Sequence, residues 1–510
     1  MGPRTLRLSK SRYIAGLQCD KRVYLETHNP ELATPPDEAM QAVLDMGTEI
    51  GAIARRRYPG GRLIDASFRQ TQLALDQTAA ALADPSIPAL FEAAFLADGV
   101  LIRVDILERV SSADGAVDGW RLIEVKSSTK KKDVHLDDLA LQAHVLTQAG
   151  LQVVSCHLMY VNTRYVYDGN GHATADVVDV GQLFTLQDLT EELQPRRSLL
   201  AARLETMHGV LQRPAPPMVE PDGHCHTPHE CGFWDFCTKD KPARWIYRLP
   251  GSRRHLPSWV AQGIVTIDDL PESARLTAIQ ARVRANREWC SPLLGDALRR
   301  VDYPVHHLDF ETIMPALPRY PGTRPYEVIP IQWSNHIEQG DGELVHHEFL
   351  AESSEDPRRV LLEQLLASLG TQGSICVYSQ YERAVLDSLA AVFPEHKARV
   401  AAVKKRLWDL FEVLQEHYYH PGFEGSYSIK SVLPAIVPNL SYTDLAIQGG
   451  AVAARSYLKM AFEEQDWIER QRIAADLLAY CARDTFAMVA LRRALLERVS
   501  QARSAEVEDV

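Results

Sequence analysis

The chain has 510 residues, long enough for two or three domains that each bury a core. With 46% hydrophobic and 24% charged residues it has the make-up of a globular protein, which excludes disordered and fibrous classes. The net charge of −12 excludes a global basic field, so any nucleic-acid contact must come from local patches. No apolar run approaches bilayer-spanning length and no apolar signal core opens the chain, so no membrane contact and a cytoplasmic location are expected.

Residues 1–8 read as a loose basic tail. Helices are predicted over Ser9–Glu26 and Pro36–Arg57, the second opening at Pro36 or Asp37 and ending before Pro59-Gly60-Gly61. A third covers Thr71–Leu82 and stops at Asp84-Pro85. Strands follow at Ala89–Leu96, Val100–Glu108 and Trp120–Lys126, then a helix from His135 to Leu146 and a strand from Gln152 to Tyr160. Leu183–Met207 reads as helical with a break at Pro195, and Arg213-Pro-Ala-Pro-Pro as a linker. Interleaved strands and helices predict an α/β fold.

Chemistry first concentrates between Arg103 and Thr129. Asp105 lies in an apolar strand, and Glu124-Val125-Lys126 ends the next one. Two carboxylates on neighbouring strands can grip a hard divalent cation such as Mg²⁺ or Mn²⁺, and the Val125 carbonyl can add a ligand. Lys126 can then steer the attacking water and balance charge at a scissile phosphate. Surface charges on a hairpin would give the same pattern. Lys130-Lys131-Lys132, between this strand and the next helix, fits either an approaching phosphate or a solvated charge run.

Of the eight cysteines, Cys156, Cys290, Cys376 and Cys481 are scattered and read as buried thiols. Cys225, Cys231 and Cys237 are spaced C-x5-C-x5-C, and Cys19 stands far upstream. In a reducing compartment four such thiols point to metal rather than disulfides. They suit an iron–sulfur cluster or zinc, and His224, His226 and His229 keep zinc open.

One upstream cysteine in an S-x7-C-x2-R-x2-L segment (Ser11 to Leu25), a D…ExK core followed by Gln142 on a helix, and then a cysteine triplet form an ordered set. That order resembles the RecB-like PD-(D/E)XK iron–sulfur nucleases, which include CRISPR-associated and helicase–nuclease members, over residues 5–245. The resemblance implies a 4Fe–4S cluster on Cys19, Cys225, Cys231 and Cys237 that pins the first and last parts of the domain together. It implies Asp105 and Glu124 as metal ligands, Lys126 as the catalytic lysine, and Gln142 on the cleft rim positioning DNA. The family's Gly-x-x-x-His reads Gly47-Thr48-Glu49-Ile50-Gly51 here, so that histidine is missing. Glu92 is the expected replacement ligand, with Glu49 the weaker candidate.

In residues 246–300, the segments Leu256–Gly263, Ile264–Leu270 and Leu276–Cys290 read as helix, tight turn and helix. This resembles a helix-hairpin-helix, which can hold DNA backbone through turn amides or serve as a plain connector. A strand from Tyr303 then ends in Asp309-Phe310-Glu311, where carboxylates at i and i+2 share a face. Strands are predicted at Val328–Ile337 and Leu344–Phe349, and a buried strand from Ser374 leads into a helix carrying Glu382. Asp409 is a competing acid on a predicted amphipathic helix. Ser426 or Ser428 is expected to cap a helix near Ile429, placing Lys430 where a phosphate could meet it, unless the loop is only a capped surface turn. Tyr480 and Asp484 are one helical turn apart.

Asp-x-Glu, a strand-to-helix acid and Tyr-x-x-x-Asp, in that order, resemble the DEDD 3′–5′ exonucleases of RNase H-like fold, tyrosine subtype, over residues 301–495. The resemblance implies Asp309, Glu311, Glu382 and Asp484 as ligands of two metals and Tyr480 as the residue that orients the attacking water. Glu382 stands where the family usually has aspartate. The chain is therefore expected to be α/β. A PD-(D/E)XK restriction-endonuclease-like domain with its Fe–S cluster would span residues 1–245, a helical connector 246–300, an RNase H-like mixed-sheet domain 301–500, and a disordered tail 501–510. The expected function is an Mg/Mn-dependent nuclease, foremost a DNA exonuclease, in DNA processing, repair or phage defence. DNA is the expected partner before RNA. The alternative is a nucleic-acid-binding scaffold with one or both centres inactive, which the missing histidine and Glu382 would favour.

Overall fold

A computed structural model describes residues 7–111, 117–169 and 178–508. The fold is mixed α/β, in two compact units: Met1–Asp240 with Pro315–Tyr326, and Lys241–Met314 with Glu327–Val510. The 246–300 segment thus belongs to the second unit and is not a module of its own. Among the described residues no helix is long and apolar enough to cross a membrane.

The first unit is built on one sheet. Its strands are β1 (Leu8–Ser9), β2 (Arg62–Leu63), β3 (Ala89–Ala97), β4 (Val100–Ser111), β5 (Val117–Lys126), β6 (Val153–Val161) and β7 (Phe184–Asp188), in the order β2-β3-β4-β5-β6-β7. β3, β4 and β5 form antiparallel hairpins, whereas β5 and β6 are parallel and joined by the Asp133–Gln148 helix. β1 pairs with Val100 and Leu101 of β4. β3 already holds the other edge there, so β1 takes the edge that β5 leaves beyond Lys126. Residues 7–8 therefore lead into a strand instead of a loose tail.

Two expected elements divide. The helix expected over Ser9–Glu26 is two helices, Lys10–Gln18 and Asp20–His28, because Cys19 adopts extended angles (φ −164°, ψ 125°) between them. The segment expected to be helical over Leu183–Met207 is strand β7 followed by the Gln194–Leu211 helix. Pro195 lies in that helix's first turn, where its missing N–H costs nothing, so it starts the helix and does not break it.

The sheet separates two cores. One holds Leu90, Ala94, Val104, Leu107, Leu122 and Leu158 under the Asp133–Gln148 helix. The other holds Phe91, Ile106, Ile123, Val125 and Met159 under the Glu38–Arg55 helix, which Asp37 caps by accepting from the Met40 N–H at 2.8 Å. Phe91 and Ala93, and likewise Ile106 and Val104, fall in different cores although i and i+2 share a face in a regular strand. The faces of β3 and β4 exchange at the residues between, Glu92 and Asp105. The ladder omits that pair while keeping register on both sides, and Glu92 has a left-handed φ of +56°.

After a run of short helices the second unit has a short strand, β8 (Trp289–Cys290), and then carries a five-stranded sheet: β9 (Val305–Ile313), β10 (Ile329–Glu338), β11 (Leu344–Leu350), β12 (Ile375–Val377) and β13 (Leu407–Asp409), in the order β11-β10-β9-β12-β13. The first three pair antiparallel, while β12 and β13 add in parallel. β8 pairs separately with β14 (Tyr418–Tyr419) in a small ribbon. Leu308 and Phe310 of β9 face a core with Leu361, Leu362 and Leu365 of the Arg358–Leu369 helix. The alternate residues, Asp309 and Glu311, face the long Trp467–Glu508 helix. Buried Glu338 of β10 fixes that helix, accepting from Arg492 at 2.9 Å and Arg493 at 2.7 Å. The helix continues through Glu508, so the tail expected to be disordered from residue 501 is helical there, and 509–510 lie outside the described residues.

The expected helix-hairpin-helix turn is a single 3-10 turn, Ile267–Asp269, between the helices Leu256–Ala261 and Ala278–Ala285. Its amides are taken internally: Asp269 accepts from the Thr266 N–H at 2.8 Å and the Val265 N–H at 3.3 Å. That leaves the connector reading as the better supported of the two.

Candidate metal centres

In the first unit the register that sets Ile106 opposite Ile123 brings Asp105 against Glu124, with Glu92 across from Asp105 on the third strand. Glu92, Asp105, Glu124 and Lys126 line one cleft of about 350 Å³, together with Lys10 and with Gly47, Thr48 and Gly51 of the Glu38–Arg55 helix. Gly51 stands where the resembled family has its histidine, and a Cβ there would meet nothing within 4 Å. Glu49 does not line the cleft; it pairs with Arg319 at 3.0 Å.

Glu124 is fully buried and saturated. One oxygen accepts from Lys10 at 2.9 Å and Lys126 at 2.5 Å, the other from Lys10 at 3.1 Å and Gln142 at 2.6 Å. Asp138, one turn before Gln142, accepts from Lys126 at 2.9 Å and Gln142 at 3.0 Å. Asp105 accepts from the Val125 N–H at 2.7 Å. Burial, then the nearby Glu124, pushes the Asp105 carboxyl up to about 7. Burial would raise Glu124 too, but Lys10 and Lys126 outweigh it and hold that carboxyl well below its usual range. Burial also works against the Lys126 ammonium, yet Glu124 and Asp138 more than offset it, so Lys126 is a firm cation.

Gln142 is not on the rim. It is wholly buried beneath the carboxylates, so here it orients Glu124 and Asp138 instead of touching DNA. Its Oε1 has no partner in this buried setting, an orphan acceptor beside the acids. Of the lysine run, Lys131 pairs with Glu192, and Lys130 and Lys132 are exposed.

Cys19, Cys225, Cys231 and Cys237 line a single cavity with His224, Phe233 and Trp234. The extended Cys19 sits at the joint between its two helices. Gln18 beside it donates to the carbonyls of His224 at 2.7 Å and His229 at 2.8 Å. Cys225 and Cys231 are tied by a 2.8 Å backbone bond, and Cys237 rides the short Trp234–Thr238 turn. All four are free thiols. Burial pushes Cys225 up to about 11 and raises Cys19 and Cys231. Among the described residues no three of these sulfurs lie within 4.8 Å of one another. His226 is engaged elsewhere, with Glu230 at 2.5 Å and against the Trp234 ring.

In the second unit Asp309, Glu311 and Cys481 offer ligand atoms within 4.8 Å of one another. The Cys481 thiol donates to Asp309 Oδ2 at 3.8 Å. Burial, then Asp484, Glu311 and Glu382, pushes Asp309 well above the carboxylate range. Burial and Asp484 push Glu311 up to about 8. Burial takes Glu382 up to about 7, and Ser379 donates to it at 3.3 Å. Asp484 is raised by burial, partly offset by Tyr442, which donates to its Oδ1 at 2.5 Å, and by Lys430. Tyr480 is raised by burial and by Asp484, so its phenol keeps its proton. Lys430 donates to the Gln448 carbonyl at 2.5 Å and lies 5.4 Å and 5.3 Å from the Tyr442 and Tyr480 ring centres. Asp409 caps the Leu410–His417 helix through the Phe411 N–H at 2.9 Å and ends strand β13, which accounts for it without a ligand role.

Sequence reasoning passed over Lys10, Asp138, Tyr442 and Cys481 as members of these centres. Asp138 precedes Gln142 by four residues, a spacing that was visible; Tyr442 and Lys10 come from distant segments and have no such signal. A family described as a domain of unknown function (DUF2779) matches residues 306–428. That match contains Asp309, Glu311 and Glu382 and stops before Lys430, Tyr442 and the Tyr480–Asp484 turn. The chain is also 24% identical over 220 residues to an uncharacterized protein, UU173, of Ureaplasma parvum, a match covering 39% of this chain. The match spans 32% of that relative, about a third of its length.

Proposed function

We propose that the protein is a metal-dependent nuclease acting on DNA, with one phosphodiester-cleaving centre in each unit: a PD-(D/E)XK-like centre in the first and a DEDD-like exonuclease centre in the second. The observation that carries this is the gathering of buried Glu311 and Glu382 with half-buried Asp309 and Asp484, beside one nearby ammonium, Lys430. Self-repelling acids withdrawn from water cost stability unless cations fill the space between them. The mixed five-stranded sheet, with its acids on one face of β9, is of the kind an RNase H-like domain requires.

Bound Mg²⁺ or Mn²⁺ would supply Lewis-acid charge at the phosphate and an acidified water. The chain's own residues do the rest. Asp309 and Glu311 present oxygens from one face of β9, and Asp484 presents one from the long helix, held in place by Tyr442. Tyr480 keeps its proton and orients water as a donor. In the first unit Glu92 and Asp105 face the cleft, and Lys126, a fixed cation, stabilises charge on phosphate instead of removing a proton. The four cysteines suit a 4Fe–4S cluster by their number and their shared cavity.

Two experiments bear on the first centre in an Asp309→Asn/Asp484→Asn background. Asp105→Ala is expected to abolish the remaining Mn²⁺-dependent cleavage without unfolding; unchanged cleavage there would remove this centre. Gly51→His should tighten Mn²⁺ binding, since it adds a ligand into open space on a helix where Gly is a poor former. Equal affinity in the two proteins would show that this helix position does not see the metal.

A further inference from the structure

Lys10 opens the Lys10–Gln18 helix, where an ammonium opposes the helix dipole. It is nonetheless turned inward, reaching both oxygens of Glu124 and lying 3.7 Å from Asp138. With Lys126 it sets two cations against two acids, Glu124 and Asp138. Asp105 and Glu92 have no cation hydrogen-bonded to them among the described residues, and both line the cleft. The orphan Gln142 Oε1 lies beside the neutralised pair.

Building on the nuclease reading of this unit, we propose that Lys10 is a positioning residue that locks Glu124 and Asp138 and leaves Asp105 and Glu92 as the pair through which a divalent cation enters. Lys10 therefore competes with metal for Glu124 and tunes its affinity downward.

The test is a Mn²⁺ titration followed by electron paramagnetic resonance on the full chain with Asp309→Asn and Asp484→Asn in place, so that only the first centre reports. Lys10→Met is expected to bind Mn²⁺ about tenfold more tightly, because a unit charge a few ångströms away is removed. Lys10→Arg, which keeps the charge, should match the parent. Asp105→Asn and Glu92→Gln should each weaken binding about tenfold or more. If Lys10→Met melts before titration, Lys10→Gln keeps N–H donors without charge and should show the same gain. A folded Lys10→Met or Lys10→Gln with unchanged or weaker Mn²⁺ affinity, alongside a weakened Asp105→Asn, overturns the role of Lys10 and leaves the nuclease reading standing. No Mn²⁺ binding in the parent and no effect of Asp105→Asn would overturn both.

Discussion

Asp309→Asn is expected to remove Mn²⁺-dependent exonuclease activity while raising the melting temperature in metal-free buffer at pH 8. Asp309 lies at the centre of the second unit's acids, and its carboxyl is raised by burial and by Asp484, Glu311 and Glu382. A group whose folded pKa is raised contributes stability below its unfolded pKa and loses it as pH rises through the folded value. Glu311, raised from 4.5 to about 8, sets the window: the metal-free protein should weaken progressively from about pH 4.5 to 8. A tenfold change in proton affinity is worth about 1.4 kcal/mol, which makes the loss a few kcal/mol in order of magnitude. The amide keeps the side chain's volume but cannot ionise, so the variant escapes Asp309's share of that loss. Scanning calorimetry should show a gain of several degrees at pH 8, about 2–4 °C per kcal/mol, and little gain at pH 5. Mn²⁺ should stabilise the parent more than the variant at pH 8, the difference being the second unit's centre. A variant less stable than the parent at pH 8 without metal would contradict the electrostatic account.

Cys19→Ser is expected to lose cluster iron and destabilise the first unit most of all single changes. Cys19 and the triplet meet across roughly 200 residues of chain, and closing so long a loop is worth about 5 kcal/mol in the unfolded ensemble. Burial keeps Cys225, Cys19 and Cys231 protonated without metal, so loading should release protons and be weaker at low pH. Anaerobically purified parent should be coloured and contain iron; Cys19→Ser should be colourless and unfold at lower denaturant. Colourless parent protein holding one zinc would replace the iron–sulfur assignment by a zinc one.

The α/β class and the strands that carry Asp105, Glu124, Asp309 and Glu311 were legible because short apolar runs bounded by turn signals mark β4, β5 and β9. The helix face that joins Tyr480 to Asp484 was legible from their spacing of one turn. The break at Cys19 was not, since Ser9 to Glu26 reads as one helix and the extended angles at Cys19 carry no local signal. Nor was the exchange of faces at Glu92, which rests on a left-handed residue that no sequence pattern announces. Gln142 was found but misplaced: its helix was right, and burial under Glu124, set by tertiary packing, decided what it touches. Lys10 and Tyr442 were missed because each reaches its acid from a segment with no local motif.

The most direct test of the two centres is a cleavage assay on 3′- and 5′-end-labelled single- and double-stranded DNA with Mg²⁺ and Mn²⁺. The full chain is compared with Asp309→Asn/Asp484→Asn, with Lys126→Ala, and with all three changes combined. Two working centres predict metal-dependent cleavage by the full chain, loss of 3′-end trimming in the Asp309/Asp484 pair, residual cleavage that depends on Lys126, and none in the combined variant. Trimming of 3′ ends that survives Asp309→Asn/Asp484→Asn in the Lys126→Ala background, or a full chain that cleaves neither DNA under either metal, would contradict them.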